Sequence, residues 1–417
     1  MMAPTADRVA SIMLSWHSLE LVNFNTLQTL WAGYGQICAI TARASTDSAA
    51  EKLDKLCGTE NGAAGSTYPL ILKLISPPTK SGSKQDEGHL RKMLSYEVEQ
   101  HFYNHLVPLL GEDIGIAKCL ASTKGMDGQD GEQELNGLMA TIMVNLRQSY
   151  PVAGEKRSSL DRAQVHGSLD WLARFHGRTR DLLQQGLDLG THVLPPLDEL
   201  VRRQKVENNT ANGLWLNGGY TYLATRRTEY ESLFEDANSE WSELLCEPFE
   251  GSSLSVAEMA ALFLMPSGRP VESYIHGDVK SENLFTNRTG EKVAFFDFQY
   301  VGLGLGVCDL AKLFTCSVPL HMLVDDVEYL PVEIAMCDGE RRLLRHYRKS
   351  LLSDDLLYDW DTFKLHWETA LVDWCRFQAS WGFWGNTEWL EARVRSIMGD
   401  PEWRNWLRRN SSNESSR

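Results

Sequence analysis

Along the first third of the chain, short apolar runs alternate with polar stretches rich in Gly and Ser at residues 44–67, 76–88 and 122–137. The runs have strand character. Residues 27–42 (LQTLWAGYGQICAITA) predict two strands around a glycine turn, 68–75 (YPLILKLI) a third, and 115–121 and 138–146 a fourth and fifth. A helix over about residues 90–110 separates the third strand from the fourth. At 100° per residue, Val98, Glu99, Phe102, Tyr103, Leu106 and Leu109 share one arc of that helix, while Glu97 points to the opposite side. Beyond Pro151 the period turns helical: Val165, Leu169, Leu172 and Phe175 recur at three- and four-residue steps behind Ser158 and Ser159, which predict a cap. Residues 410–417 are polar and predict a disordered tail. The expected architecture is α+β, with a small β-rich N-terminal lobe (1–147) and a larger, mainly helical C-terminal lobe (148–409).

Charge and cysteine usage narrow the function classes. With 56 acidic against 41 Lys and Arg residues, a net charge of −15 argues against nucleic-acid or anionic-membrane binding, which needs a basic face. It is compatible with a cationic small substrate. The eight cysteines form no Cys-x-x-Cys pair and no zinc spacing, so they read as reduced, half-buried side chains. Residues 1–10 carry Asp7 and Arg8 without an apolar core, and no apolar stretch is long enough to span a bilayer. The expectation is a cytoplasmic protein with no membrane span.

The chemistry concentrates in residues 274–314 (YIHGDVKSENLFTNRTGEKVAFFDFQYVGLGLGVCDLAKLF). His276-Gly277-Asp278 is followed five residues after the Asp by Asn283, and an apolar strand then delivers Asp297. Phosphoryl transfer needs a carboxylate to orient or deprotonate the attacking hydroxyl, and oxygen ligands to hold Mg2+ against nucleotide phosphates. An Asp and an Asn on one loop, with a second Asp at a strand end, supply those groups. An Asx turn between helix and strand would account for the first pair, though not for Asp297.

In the spacing H-G-D-x(4)-N, then D-F-Q, then Gly306 and Asp309-Leu310-Ala311, the chain resembles the protein-kinase-like phosphotransferases that act on small molecules. These are the aminoglycoside phosphotransferases, the choline kinases and the ecdysteroid-kinase-like family. The resemblance implies a bilobal protein-kinase-like fold with ATP bound between the lobes. Asp278 would be the catalytic base or the positioner of the acceptor hydroxyl, Asn283 and Asp297 would hold Mg2+, and His276 would brace the loop. Asp309 would fix the loop from behind, or cap the helix that follows. Lys280, two residues after Asp278, stands where protein kinases carry Lys, and could neutralise charge growing on the transferring phosphoryl group.

The N-terminal lobe should supply a phosphate-binding lysine. Lys73 is the only charge inside LILKLI and needs a partner unless it snorkels from an edge. Glu99, inside the apolar arc of the next helix, is the better mate than Glu97. Gly33-Tyr34-Gly35 is the candidate phosphate-covering turn. Backbone groups around residues 143–146 are the candidate adenine hinge. That stretch often reads Glu-Asp-Leu in the family and here reads Val144-Asn145-Leu146. Asp373-Trp374, Trp381, Phe383-Trp384 and Trp389 cluster near the C-terminus, where choline kinases present aromatics to a quaternary ammonium, although such spacing also suits plain helix core. His101 and His105 stand four apart with no third ligand in view. The function expected is an ATP- and Mg2+-dependent kinase for a small-molecule alcohol. The alternatives are a catalytically weak nucleotide-binding module, or a protein kinase, for which only eleven residues between Asp297 and Asp309 leave little room.

Overall fold

A computed structural model describes residues 4–77, 86–186, 192–205, 213–249, 251–352 and 356–411. The architecture is α+β and bilobal. The first lobe carries α1 (Ala6–Ser15), β1 (Leu19–Thr29), β2 (Gly35–Ala44), α2 (Asp47–Cys57), β3 (Thr67–Ile75), α3 (Glu87–His101), β4 (Cys119–Ser122), the short α4 (Glu132–Leu135) and β5 (Met139–Val144). The strands form one antiparallel sheet in the order β1-β2-β3-β5-β4. Alternation along β3 explains how the sheet serves two layers. Leu70, Leu72 and Leu74 point to one face, which α1 and α2 cover with Val9, Met13, Ala50 and Leu53. Lys73 points to the other, toward α3.

Several expectations change at this level. β1 begins at Leu19, well before residue 27. Its outer positions are exposed and polar because it is an edge strand, so the apolar signal was weak there. The polar stretch 44–67 contains α2, whose Ala49, Ala50 and Leu53 are buried, with Thr46 capping one end and Gly58 at φ 70° ending the other. In 115–121, strand pairing starts only at Cys119. The helix expected through residue 110 is α-helical to His101, then turns once as a π-helix (Phe102–Leu106) and once as a 3-10 turn (Val107–Leu109) around Pro108, which has no N–H to give.

The second lobe comprises β6 (Val152–Ala153), α5 (Arg162–Gln184), α6 (Pro196–Lys205), α7 (Arg227–Phe234), α8 (Val256–Leu264), β7 (Glu272–Ile275), β8 (Leu284–Thr286), β9 (Val293–Phe295), β10 (Gly302–Leu305), α9 (Val307–Cys316), α10 (Asp338–Leu351), α11 (Trp360–Trp381), α12 (Thr387–Gly399) and α13 (Pro401–Ser411). α5 is capped by Asp161 in a reciprocal box with Gln164, not by Ser158 or Ser159. Asn410 and Ser411 belong to α13, and the rest of the expected tail lies outside the described residues. The main core fills this lobe and takes in α3 as well: Phe102, just past its end, stacks on Phe298 at 4.1 Å. The helix that carries Glu99 is therefore fastened to the larger lobe. Among the described residues no helix is long and apolar enough to cross a membrane.

Candidate active site

Lys73 projects from the middle of β3, nine-tenths buried, with its Nζ 2.6 Å from Glu99 Oε2 and 2.9 Å from Asp297 Oδ1. Burial lowers the pKa of the ammonium. Asp297 and Glu99 outweigh it and raise the pKa above that of an ordinary lysine. Burial pushes the Glu99 carboxyl up to about 7 despite the pull of Lys73. Asp297 is half-buried, which works against its charge, but Lys73 and Gln299 hold its carboxyl below the usual range. Glu97, on the opposite side of α3, pairs instead with Arg203 at 2.7 Å.

The 276–283 loop is built around hydrogen bonds that fix its backbone. His276 is fully buried; its Nε2–H donates to the Phe296 carbonyl at 3.0 Å, and its Nδ1 accepts from the Asp278 N–H at 3.2 Å. Burial lowers the imidazole pKa, in keeping with the neutral tautomer those bonds require. Asn283 Nδ2 donates to both the carbonyl and Oδ2 of Asp278, each at 2.9 Å. The Asn283 carbonyl accepts from the Phe296 N–H at 3.0 Å, which ties the loop to the residue before Asp297. Lys280 Nζ lies 3.1 Å from Asp278 Oδ2 and 3.2 Å from Glu282 Oε1. Burial works against its charge, and those two acids more than restore it.

Asp309 is the third residue of α9 and not its cap, a position occupied by Gly306. Its carboxylate, fully buried, accepts from the backbone N–H groups of His276 (2.7 Å) and Gly277 (2.9 Å) and from His176 Nε2–H (3.1 Å). Tyr347 donates to the other nitrogen of His176 at 2.8 Å. Sequence reasoning missed His176. Its signal was a polar residue four steps after Leu172 on the buried stripe of α5. It also missed Gln299, whose amide donates to Asp297.

Three other candidates lie at strand ends and touch none of these carboxylates. Gly33 sits in the turn between β1 and β2 at φ 74°, with open space where a side chain would stand. Gly35 faces β3 so closely that a Cβ would come within 2.1 Å of the Leu74 carbonyl oxygen, so strand pairing itself demands glycine there. Asn145 follows β5, and its side chain caps the next turn by accepting from the Arg147 N–H.

Beside Asp278 opens a cavity of about 350 Å³ whose walls include Trp31, Tyr220, Trp374, Trp381 and Trp384. The aromatic cluster thus divides: Trp389 is fully buried core, whereas Trp374, Trp381 and Trp384 face the cavity. The rings of His101 and His105 meet at a tilt with centroids 4.4 Å apart, and among the described residues no three His, Cys, Asp or Glu side chains gather as a metal cluster. Asn283 and Asp297 make a sparse donor set of the kind Mg2+ accepts, since that ion keeps waters and phosphate oxygens as its other ligands. The Asn283 amide turns its nitrogen to Asp278, leaving Oδ1 available, and Asp297 commits only Oδ1 among the described residues.

Among solved structures, the chain is similar to an ethanolamine kinase from Plasmodium vivax (13% identity, 93% of this chain and 84% of that one, TM-score 0.37). It is also similar to a choline kinase from Cryptosporidium parvum (12%, 93% and 88%, 0.38) and to a macrolide 2'-phosphotransferase from Brachybacterium faecium (11%, 98% and 99%, 0.40). None of the curated proteins matches the chain. Residues 59–332 match the family model of the ecdysteroid kinase-like family. That span runs from the end of α2 past α9 and holds Lys73, Glu99, the 276–283 loop, Asp297 and Asp309, so the chain belongs to the ecdysteroid kinase-like family.

Proposed function

We propose that the protein is an ATP- and Mg2+-dependent kinase that phosphorylates a hydroxyl group of a small molecule. The observation that carries this reading is the position of Asp278. Its carboxylate borders a cavity large enough for a small acceptor and is hydrogen-bonded to Asn283, whose backbone is tied to the strand end bearing Asp297. Asn283 and Asp297 would hold the metal, which when bound neutralises phosphate charge. Lys73, kept protonated and oriented by Glu99, reaches toward the same phosphates. Asp278 orients the acceptor hydroxyl and takes up its proton as the new O–P bond forms and the bond from the γ-phosphorus to ADP breaks. Lys280, alongside, offsets charge on the transferring group. Such catalysis is positioning and electrostatics, with no covalent intermediate.

The test is Asp278→Asn, assayed for phosphoryl transfer across a panel of alcohols and, separately, for Mg·ATP binding by calorimetry. Turnover should fall roughly 10²–10⁴-fold, the usual worth of a positioned acid–base group, while ATP affinity stays close to that of the wild type. Equal turnover in the two proteins removes Asp278 from the chemistry. A wild type that binds Mg·ATP but phosphorylates nothing would mark a nucleotide-binding module.

A further inference from the structure

The wall of the cavity beside Asp278 carries a group that the proposed chemistry leaves unused. Lys312 points out of α9 into the cavity while being only 5% exposed, and among the described residues it makes no hydrogen bond and no ion pair. Its direct contact is with the face of Trp374, 5.7 Å from Nζ to the ring centroid. A cation–π contact offsets about 0.5–2 kcal/mol. The rest of its solvation must come from whatever fills the cavity. Asp309, three residues back, shares its field with Lys312 but makes no direct ion pair with it, its oxygens being turned to two backbone N–H groups and His176. Lys280 differs in kind: it lies between Asp278 and Glu282 and pairs with both.

The neighbours of Lys312 extend the pattern. Trp374, 3% exposed, has an indole N–H with no hydrogen-bond partner among the described residues. Tyr220 keeps its phenolic proton, since burial and then Asp278 drive its pKa well above the ordinary value. Lys156 and Arg157 stand exposed at the rim. The cavity therefore combines flat apolar walls with hydrogen-bond donors and surplus positive charge, in a chain whose overall charge is −15.

We infer that the acceptor is an alcohol with a flat apolar body and an anionic oxygen group, such as a carboxylate, that pairs with Lys312. This rests on the kinase reading for the role of the hydroxyl, though the binding preference can be measured without it. An ammonium-bearing alcohol would meet the Lys312 charge head on, which runs against the cationic substrate with which the global charge is compatible.

The experiment measures binding of three matched probes to the full-length protein by calorimetry: para-hydroxymethyl benzoate, the corresponding benzamide, and the corresponding benzyl trimethylammonium. The wild type should bind the benzoate roughly ten- to a hundredfold more tightly than the amide, the range expected for one charge-assisted hydrogen bond, and the ammonium most weakly. Lys312→Met should erase the gap between benzoate and amide, and Lys312→Arg should keep most of it, with melting temperatures checking that both variants fold. Equal binding of benzoate and amide by the wild type, preference for the ammonium, no binding of any probe, or an unchanged gap in a folded Lys312→Met would each overturn the inference. Mg·ATP binding by the wild type, titrated separately, tells that failure apart from failure of the kinase reading.

Discussion

Asp297 holds a left-handed backbone, φ 66°, which a non-glycine residue adopts only where its surroundings compensate the strain. The compensation here is polar, with Lys73 and Gln299 both donating to Oδ1. If the remaining oxygen serves a metal, Asp297→Ala should abolish Mg2+-dependent nucleotide binding, and titrations of ATP with and without Mg2+ would show it; an unaltered metal dependence would exclude Asp297 as a ligand. Asp309 predicts a different loss. Asp309→Ala leaves the buried N–H groups of His276 and Gly277 without acceptors and should cost about 2–5 kcal/mol of stability in urea unfolding. A cost below about 1 kcal/mol would mean that the loop holds itself. At this scale the sequence was readable wherever chemistry broke a pattern. A lone charge in an apolar strand exposed Lys73, and an acid inside an apolar arc exposed Glu99. His176 and Lys312 were harder to see, because each is one more polar residue on a helix that already carries others, and what it faces comes from remote parts of the chain.

The turn between β1 and β2 separates two uses of glycine within three residues. At Gly33 a side chain would enter open space, so Gly33→Ala should cost only about 1 kcal/mol, the strain of the left-handed backbone. At Gly35 a methyl group would drive β2 away from the Leu74 carbonyl, and Gly35→Ala should cost about 2–4 kcal/mol. Melting temperatures of the two variants check the order, and the reverse order would make the turn itself, not strand pairing, the constraint. β3 and β5 were legible as near-continuous apolar runs because both faces of the sheet are covered at those strands. α2 was hidden in a polar stretch, since a helix that buries one side with two alanines and a leucine barely shifts the composition. The extension of β1 to Leu19 was hidden because edge position, a property of the assembled sheet, lets polar residues occupy both faces.

For the molecule as a whole, buried histidines set a limit on acid stability. Burial first, and then Arg269, lower the His366 pKa from 6.5 to about 4, and the Tyr358 hydroxyl donates to its Nδ1 at 2.6 Å. Buried His276 is shifted in the same direction. As pH falls through 6.5 the unfolded chain takes up these protons while the folded chain does not, so stability is lost progressively between about pH 6.5 and 4. His366 alone accounts for up to about 3 kcal/mol of that loss. Unfolding curves across this range should show it, and His366→Gln should flatten the acid limb; an equally steep limb would assign the acid sensitivity to other groups. The two-lobed plan was legible from the change of period near Pro151. The attachment of α3 to the larger core was not, because periodicity reports that a face is buried without saying against what. That attachment bears on how the cleft fills. Lys73 rides on the sheet, while Glu99 and Asp297 are anchored to the other body, so one ammonium already latches the halves together before any nucleotide arrives. On the proposed reading, a polyphosphate stripped of its cation would face two carboxylates guarding a single spent positive charge. Nucleotide would therefore be admitted only with its own counterion, which would meet the Asp297 oxygen that Lys73 leaves open without unfastening the latch.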